Sequence, residues 1–142
     1  TTASPCKSGE TANADPPLCY RVPAGMTEMG DPIRREGHYQ IGYQGQPGVK
    51  VTYIVRDLAT LEATWKALQG NAERSRASDV KLDELADGKI RVLTYTTPEK
   101  QPRAILSVLH RGATHALECE SEAPKGTPLD EILASCQDMR QP

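Results

Sequence analysis

AILSVLHRGATHALECESEAPKGTPLDEILASCQDM, residues 104–139, decides the fold. Residues 104–109 are nearly all apolar, which predicts a central strand covered on both faces. Arg111 and Gly112 turn the chain into a second strand over 114–122. Thr127 is placed as a helix N-cap, Pro128 as its first helical residue, and Asp130 and Glu131 fall in the first turn, where the helix dipole favours acids. Leu129, Ile132, Leu133, Cys136 and Met139 then form one apolar stripe. Along 114–122 the side chains alternate. His115, Leu117, Cys119 and Ser121 share one face, and Glu118, Glu120 and Glu122 share the other. A helix lying on the cysteine face brings Cys136 to Cys119, which predicts that disulfide and leaves Cys6 and Cys19 to tie down the N-terminal segment. Four cysteines without a C-x-x-C pair favour disulfides and an oxidising compartment over a zinc site, with reduced thiols in a cytosolic protein as the alternative. Each bridge closes a loop of about 15 residues and stabilises by up to roughly 3 kcal/mol.

Upstream, residues 20–22 read as a short strand stopped by Pro23 and Gly25, and 38–43 as another. The loop Gln44-Gly45-Gln46-Pro47-Gly48 follows. Val49, Val51, Tyr53 and Val55 alternate with Lys50, Thr52 and Ile54, the pattern of a strand with one buried face. Asp57 stands at an N-cap position. Leu58, Leu61, Trp65 and Leu68 make an amphipathic helix ending near Gly70, with 71–78 a polar loop or frayed extension. Residues 80–86 and 89–97 flank Asp87-Gly88, a two-residue hairpin signal. The expected order is β-β-β-α-β-β-β-β-α. This is an α+β protein, an antiparallel sheet with two amphipathic helices packed against it.

The chain has 142 residues, enough for one domain. Residues 1–17 are polar, begin with Thr1 and suit a flexible tether on a mature, trimmed chain; 18–142 form the single domain. A formal net charge of −2 excludes a strongly basic nucleic-acid binder, and no apolar run reaches the ~18 residues of a membrane span. Aromatics amount to 4% with no Phe, so Val, Ile and Leu are expected to carry the core.

Charge is unevenly placed. Residues 112–142 hold six acids and two bases, net −4, and the remainder is net +2. The face carrying Glu118, Glu120 and Glu122 suits a basic partner, a partner's cationic cleft or a hard cation such as calcium; a solvated outer face is the plainer alternative. Tyr43, Gln44, Gly45 and Gln46 suit a protruding recognition loop with an aromatic contact, or an ordinary hairpin loop. His110 and His115 flank a turn without the further ligands a metal site needs. Met26 and Met29 suit local packing. Ser107 has no base beside it, and no phosphate, dinucleotide or hydrolase motif is present. Carboxylates spaced about 7 Å apart on one strand project in parallel, whereas catalytic pairs face one another across a cleft. A non-enzymatic protein without cofactor or metal is expected.

Leu18-Cys19-Tyr20-Arg21-Val22-Pro23-Ala24-Gly25-Met26 resembles the opening strand and turn of the PsbP/Mog1-like fold, and the strand-strand-helix end resembles it too. The chain is also similar to the periplasmic immunity lipoproteins that neutralise type VI secreted peptidoglycan muramidases. The residues behind this likeness are Thr1-Thr2-Ala3-Ser4-Pro5-Cys6, the loop 44–48 and Leu117-Glu118-Cys119-Glu120-Ser121-Glu122. The resemblance implies a non-catalytic inhibitor that occludes the effector's sugar groove with loops. Its partner would be the secreted muramidase, with no nucleic acid. Calcium in such a system belongs to the toxin, and membrane contact comes only through a lipid anchor. The alternative is a PsbP-like accessory lipoprotein that binds a ligand or protein; a third possibility is a small cell-wall hydrolase.

Overall fold

The computed structural model describes residues 6–112 and 115–142, and for residues 59–65 and 68 the backbone alone. Strands β1 (Thr11–Asn13) and β2 (Leu18–Tyr20) form a small antiparallel ribbon. The main sheet contains β3 (Thr27–Glu28), β4 (Ile33–Arg35), β5 (His38–Gln44), β6 (Lys50–Asp57), β7 (Ser78–Leu85), β8 (Ile90–Thr96), β9 (Pro102–Arg111) and β10 (His115–Pro124). Helix α1 (Leu58–Arg74) follows β6, and α2 (Asp130–Asp138) follows β10. The sheet runs β3-β5-β6-β10-β9-β8-β7, every neighbouring pair antiparallel, with β4 also on β5. The α+β class with two helices on an antiparallel sheet is as expected.

β10 is central, and its alternation organises the core. Leu117, Cys119 and Ala123 point to one side with Val51, Tyr53 and Val55 of β6, Tyr39, Ile41 and Tyr43 of β5, and Leu106 and Val108 of β9. Ile132 and Cys136 of α2 and Met139 just after it close over this face together with Leu18 and Tyr20. The expected bridge is formed: Cys119 and Cys136 are fully buried and disulfide-bonded across a Cα separation of 5.2 Å. The second expected bridge, Cys6–Cys19, spans a Cα separation of 5.5 Å. A smaller cluster on the opposite sheet face packs Leu93 and Ile105 with Ala72, Val80, Leu82 and Tyr95. Residues 104–108 are therefore buried on both faces, as their apolar run required.

Tyrosine carries more of this core than the composition led us to expect. Tyr20, Tyr39, Tyr43 and Tyr53 are all buried. The rings of Tyr20 and Tyr53 lie 4.4 Å apart between centroids, and the Tyr20 and Tyr43 hydroxyls are 2.8 Å apart. The Tyr53 hydroxyl donates to the Arg21 carbonyl at 3.0 Å and lies 2.6 Å from Ser135 Oγ. Each buried ring thus finds a partner for its polar end, the condition on which tyrosine enters a core. Burial pushes the Tyr53 hydroxyl up to about 12.

Other local expectations are corrected. Residues 6–17 are not a free tether: β1 pairs with β2, and the backbones of Cys19 and Arg140 exchange hydrogen bonds of 2.8 and 3.0 Å. An Arg140–Glu10 ion pair at 3.0 Å joins the two ends of the chain further. Residues 1–5 lie outside the described residues. The strand expected at 20–22 begins earlier, because Leu18 and Cys19 pair with β1 and the Arg21 carbonyl is taken by side chains. The strands β1, β3 and β4 are too short to show a period. Helix α1 runs through Gly70, a cost of about 1 kcal/mol that its context absorbs, and ends where Arg76 takes a φ of 63°. The stripe positions Leu61, Trp65 and Leu68 lie outside the described side chains. Asp57 sits at the N-cap position without capping; its carboxylate is 3.3 Å from His115 Nε2. Helix α2 starts at Asp130 rather than Pro128, with Leu129 at the cap position and the expected acids in its first turn. The β7–β8 turn is wider than two residues: Ala86 and Asp87 are left-handed, and Lys89 N–H donates to the Ala86 carbonyl at 3.2 Å.

Replacing Cys119 and Cys136 together by Ala should lower the unfolding free energy by about 3 kcal/mol, read as a lower urea midpoint, with the far-ultraviolet spectrum retained at 25 °C. A midpoint equal to that of the parent would mean that the bridge adds nothing to the packing of α2.

Candidate functional site

The face of β10 opposite the disulfide gathers the polar side chains. Antiparallel register sets Gln44, Lys50 and Glu122 in one cross-strand row, and Gly42, Thr52, Glu120 and Ser107 in the next. Paired residues share a face, so these groups form a polar field over β5, β6, β10 and β9. Helix α1 lies against β6, β10 and β7 on part of the molecule. Gln44, the last residue of β5, and residues 45–48 of the loop that leads to β6 are all exposed. The loop closes with hydrogen bonds from Gly45 N–H to the Val49 carbonyl at 3.1 Å and from Val49 N–H to the Gln46 carbonyl at 2.9 Å. Gly48 takes a φ of +80°, which a residue with a side chain adopts only with strain. Arg103 Nη2 donates to the Gly48 carbonyl at 2.8 Å and so fixes the loop to β9.

The three glutamates, alike in sequence, occupy three environments. Glu118 is 4% exposed and does not reach the surface. Its Oε2 lies 3.1 Å from Arg56 Nε, a charge pair whose geometry is off the hydrogen-bond line, and Oε1 accepts from Ser107 Oγ at 3.3 Å. This corrects the expectation of a trio turned outward. Helix α1 lies against β6 and β10, and its Ala72 packs on this same sheet face, so the carboxylate nearest the helix is covered while Glu120 and Glu122, further along the strand, are only half-buried.

Glu122 is half-buried and paired with Lys50 at 3.4 Å and Arg103 at 3.2 Å, and it accepts from the Tyr95 hydroxyl at 2.9 Å. Burial alone would raise its carboxyl, but the Tyr95 hydroxyl, Lys50 and Arg103 outweigh burial and hold it below the usual carboxylate range. Glu120, between the two, has no ion pair and no hydrogen bond among the described residues. Burial first, and then the Glu118 and Glu122 charges against Arg56 and Lys50, push it up to about 7. Lys50, Thr52, Glu120 and Glu122 line a small concavity.

Two of the groups expected from sequence are thus brought together. Gln44, Gly45 and Gln46 stand at the same end of the sheet as Glu122, with Glu120 one row in. Tyr43 is not among them. It is 5% exposed, because strand alternation turns it away from the neighbouring Gln44 and into the tyrosine cluster. Lys50, Thr52 and Arg103 were not singled out as site residues. Lys50 and Thr52 stand at the polar positions of an alternating strand, a visible signal, whereas nothing local links Arg103 to Gly48. The two histidines part company: His110 Nε2 lies 2.8 Å from the Cys136 carbonyl, and His115 faces Asp57. Among the described residues, Cys6, Glu10 and Cys19 come close enough together to hold a metal, but both sulfurs belong to a disulfide.

The two disulfides point to an oxidising, extracytoplasmic environment, and no described helix is long and apolar enough to cross a membrane. Compared with protein families and with curated proteins, the chain gives no match. The protein is an α+β, disulfide-stapled chain with a polar sheet face beside an exposed loop.

Glu120 sets the sign of a pH effect. Its carboxyl binds a proton more tightly in the fold than at the ordinary value of 4.5, so the stability this proton contributes is present below pH 4.5 and is lost as pH rises through about 7. Glu120→Gln should therefore gain on the order of 1–3 kcal/mol over the parent at pH 8 and flatten the stability curve between pH 5 and 8. Urea unfolding across that range is the measurement; parallel curves for the two proteins would remove the effect. Arg56→Met strands a buried carboxylate and should cost about 3–5 kcal/mol, whereas Arg56→Met with Glu118→Leu should recover most of the loss. If the double variant is as unstable as the single one, shape rather than charge governs the site.

Proposed function

We propose that this protein is a periplasmic immunity protein of PsbP/Mog1-like fold. It acts by binding rather than catalysis, blocking the substrate groove of a secreted peptidoglycan-degrading muramidase effector. The observation that supports this most is the loop 44–48. All five of its residues are exposed, yet the Arg103–Gly48 bond ties it to a sheet whose central strand is bridged to α2 by a disulfide. A loop ordered before contact loses little conformational freedom on entering a groove. Gln44 and Gln46 offer amide donors and acceptors of the kind that a polysaccharide groove already satisfies. Glu122 and Lys50 supply a charged rim beside them, which steers encounter more than it adds affinity. A ligand-binding accessory role, the alternative, calls for an apolar pocket. Among the described residues, the concavity at the far end of the sheet is lined mainly by charged and polar groups, Glu84, Asp87, Lys89, Arg91, His110 and Arg111, with Leu109 beside them.

Clearing of a peptidoglycan suspension by a candidate effector muramidase tests the proposal. Stoichiometric addition of this protein should stop the clearing. Gln44→Ala with Gln46→Ala should weaken inhibition about tenfold or more, the loss of one or two interface hot spots, at unchanged thermal stability. Inhibition indifferent to the loop would overturn it. So would clearing by the protein alone that disappears in Glu122→Gln.

A further inference from the structure

We propose that the open sheet face running from Met29 and Ile33 to Glu120 docks a protein partner through a basic side chain flanked by an aliphatic one. The proposal rests on the reading above only in taking the partner to be a protein, and it adds the chemistry that the partner must present.

Met29 and Ile33 are large hydrophobic side chains left 47% and 41% exposed. Both stand over the β5 edge on the polar side of the sheet. Ile33 is paired in register with Gln40, and a Cβ added to Gly42 would lie 3.5 Å from Met29 Sδ and 3.7 Å from Thr52 Oγ1. Gly42 carries no side chain, so the surface dips between Met29 and Thr52. Three strand spacings, about 14 Å, separate this apolar edge from β10, the reach of a short extended segment with one long side chain. Leu85, 53% exposed, belongs to the opposite edge of the sheet and takes no part.

At the inner end the charges do not balance pair by pair. Arg56 answers Glu118, and Lys50 and Arg103 both answer Glu122. Glu120, in the concavity with Thr52, is the carboxyl of this row without an ion-pair partner among the described residues. A guest ammonium or guanidinium there would complete the row and displace the proton that Glu120 holds. Among the described residues, the other charged or titratable groups on elements around β10 are Asp57 at the end of β6, His110 and Arg111 at the end of β9, the half-buried His38 on β5 and Arg91 on β8, each one strand further out, and the exposed Lys66, Glu73 and Arg74 of α1. A neutral guest would leave Glu120 protonated and gain at most a neutral hydrogen bond, and an acidic guest would meet the neighbouring carboxylates. The exposed aliphatic pair and the unanswered carboxyl therefore select together for a basic residue next to an apolar one.

The test is a titration of the whole 15N-labelled chain with acetyl-Leu-Arg-Leu-amide, with acetyl-Leu-citrulline-Leu-amide as the uncharged control. The arginine peptide should shift the amides of Gly42, Thr52 and Glu120. Its affinity should rise about tenfold from pH 6 to pH 8, following the ionised fraction of a carboxyl near 7. Glu120→Gln should abolish both the pH dependence and the preference over citrulline, while its amide spectrum otherwise matches the parent. Met29→Asn should weaken the peptide and leave its pH dependence intact. Equal response to the two peptides, shifts confined to other faces, or affinity independent of pH would overturn the proposal. Muramidase inhibition retained by Glu120→Gln but lost with the loop substitutions would overturn this docking mode alone and leave occlusion standing.

Discussion

The antiparallel seam between β6 and β10 is the constraint on which the rest depends. It sets Tyr53 opposite Cys119 on one face and Ile54 opposite Glu118 on the other. Because side chains alternate, one register decides both sides at once. A slip of one residue would turn the sulfur away from α2 and bring the carboxylates into the tyrosine cluster. The disulfide between Cys119 and Cys136 locks that choice, since only one register lets the sulfurs meet.

The same seam explains why the polar face is not uniform. Deep in the sheet, a carboxylate survives burial only beside a cation, and Arg56 supplies it. At the rim, Lys50 and Arg103 converge on Glu122. Between them, Glu120 is half-buried without a counter-ion among the described residues and keeps its proton to about neutral pH. Three identical residues at alternate positions thus become a structural ion pair, a protonated carboxyl and a rim anion, through differences in what lies opposite each. The exposed loop 44–48 meets this face through Arg103, which touches both the loop carbonyl and Glu122.

Residues 104–139 made the organisation legible. The apolar run of β9, the alternation of β10 and the stripe of α2 each have a period long enough to read, and together they gave the disulfide pairing. The alternation of 49–55 marked β6 and its polar face. Short elements escaped. β1, β3 and β4 have two or three residues and hold their places by pairing with β2 and β5, not by any pattern of their own. The start of α2 was misplaced because Thr127 and Pro128 carry a good capping signal, while the helix begins two residues later.

What the sequence determined by itself is the list of faces: which residues along each strand and helix lie together, and hence the α+β class, the two disulfides and the grouping of three glutamates on one side of β10. Periodicity is a local property, readable without knowing any partner. What only the tertiary structure decided is what each face meets. Strand order enclosed Glu118 beside Arg56, drew Tyr43 into the core, and brought the loop at 44–48 to Glu122. Exposure and charge balance depend on neighbours that are distant in the chain, and no local pattern encodes them.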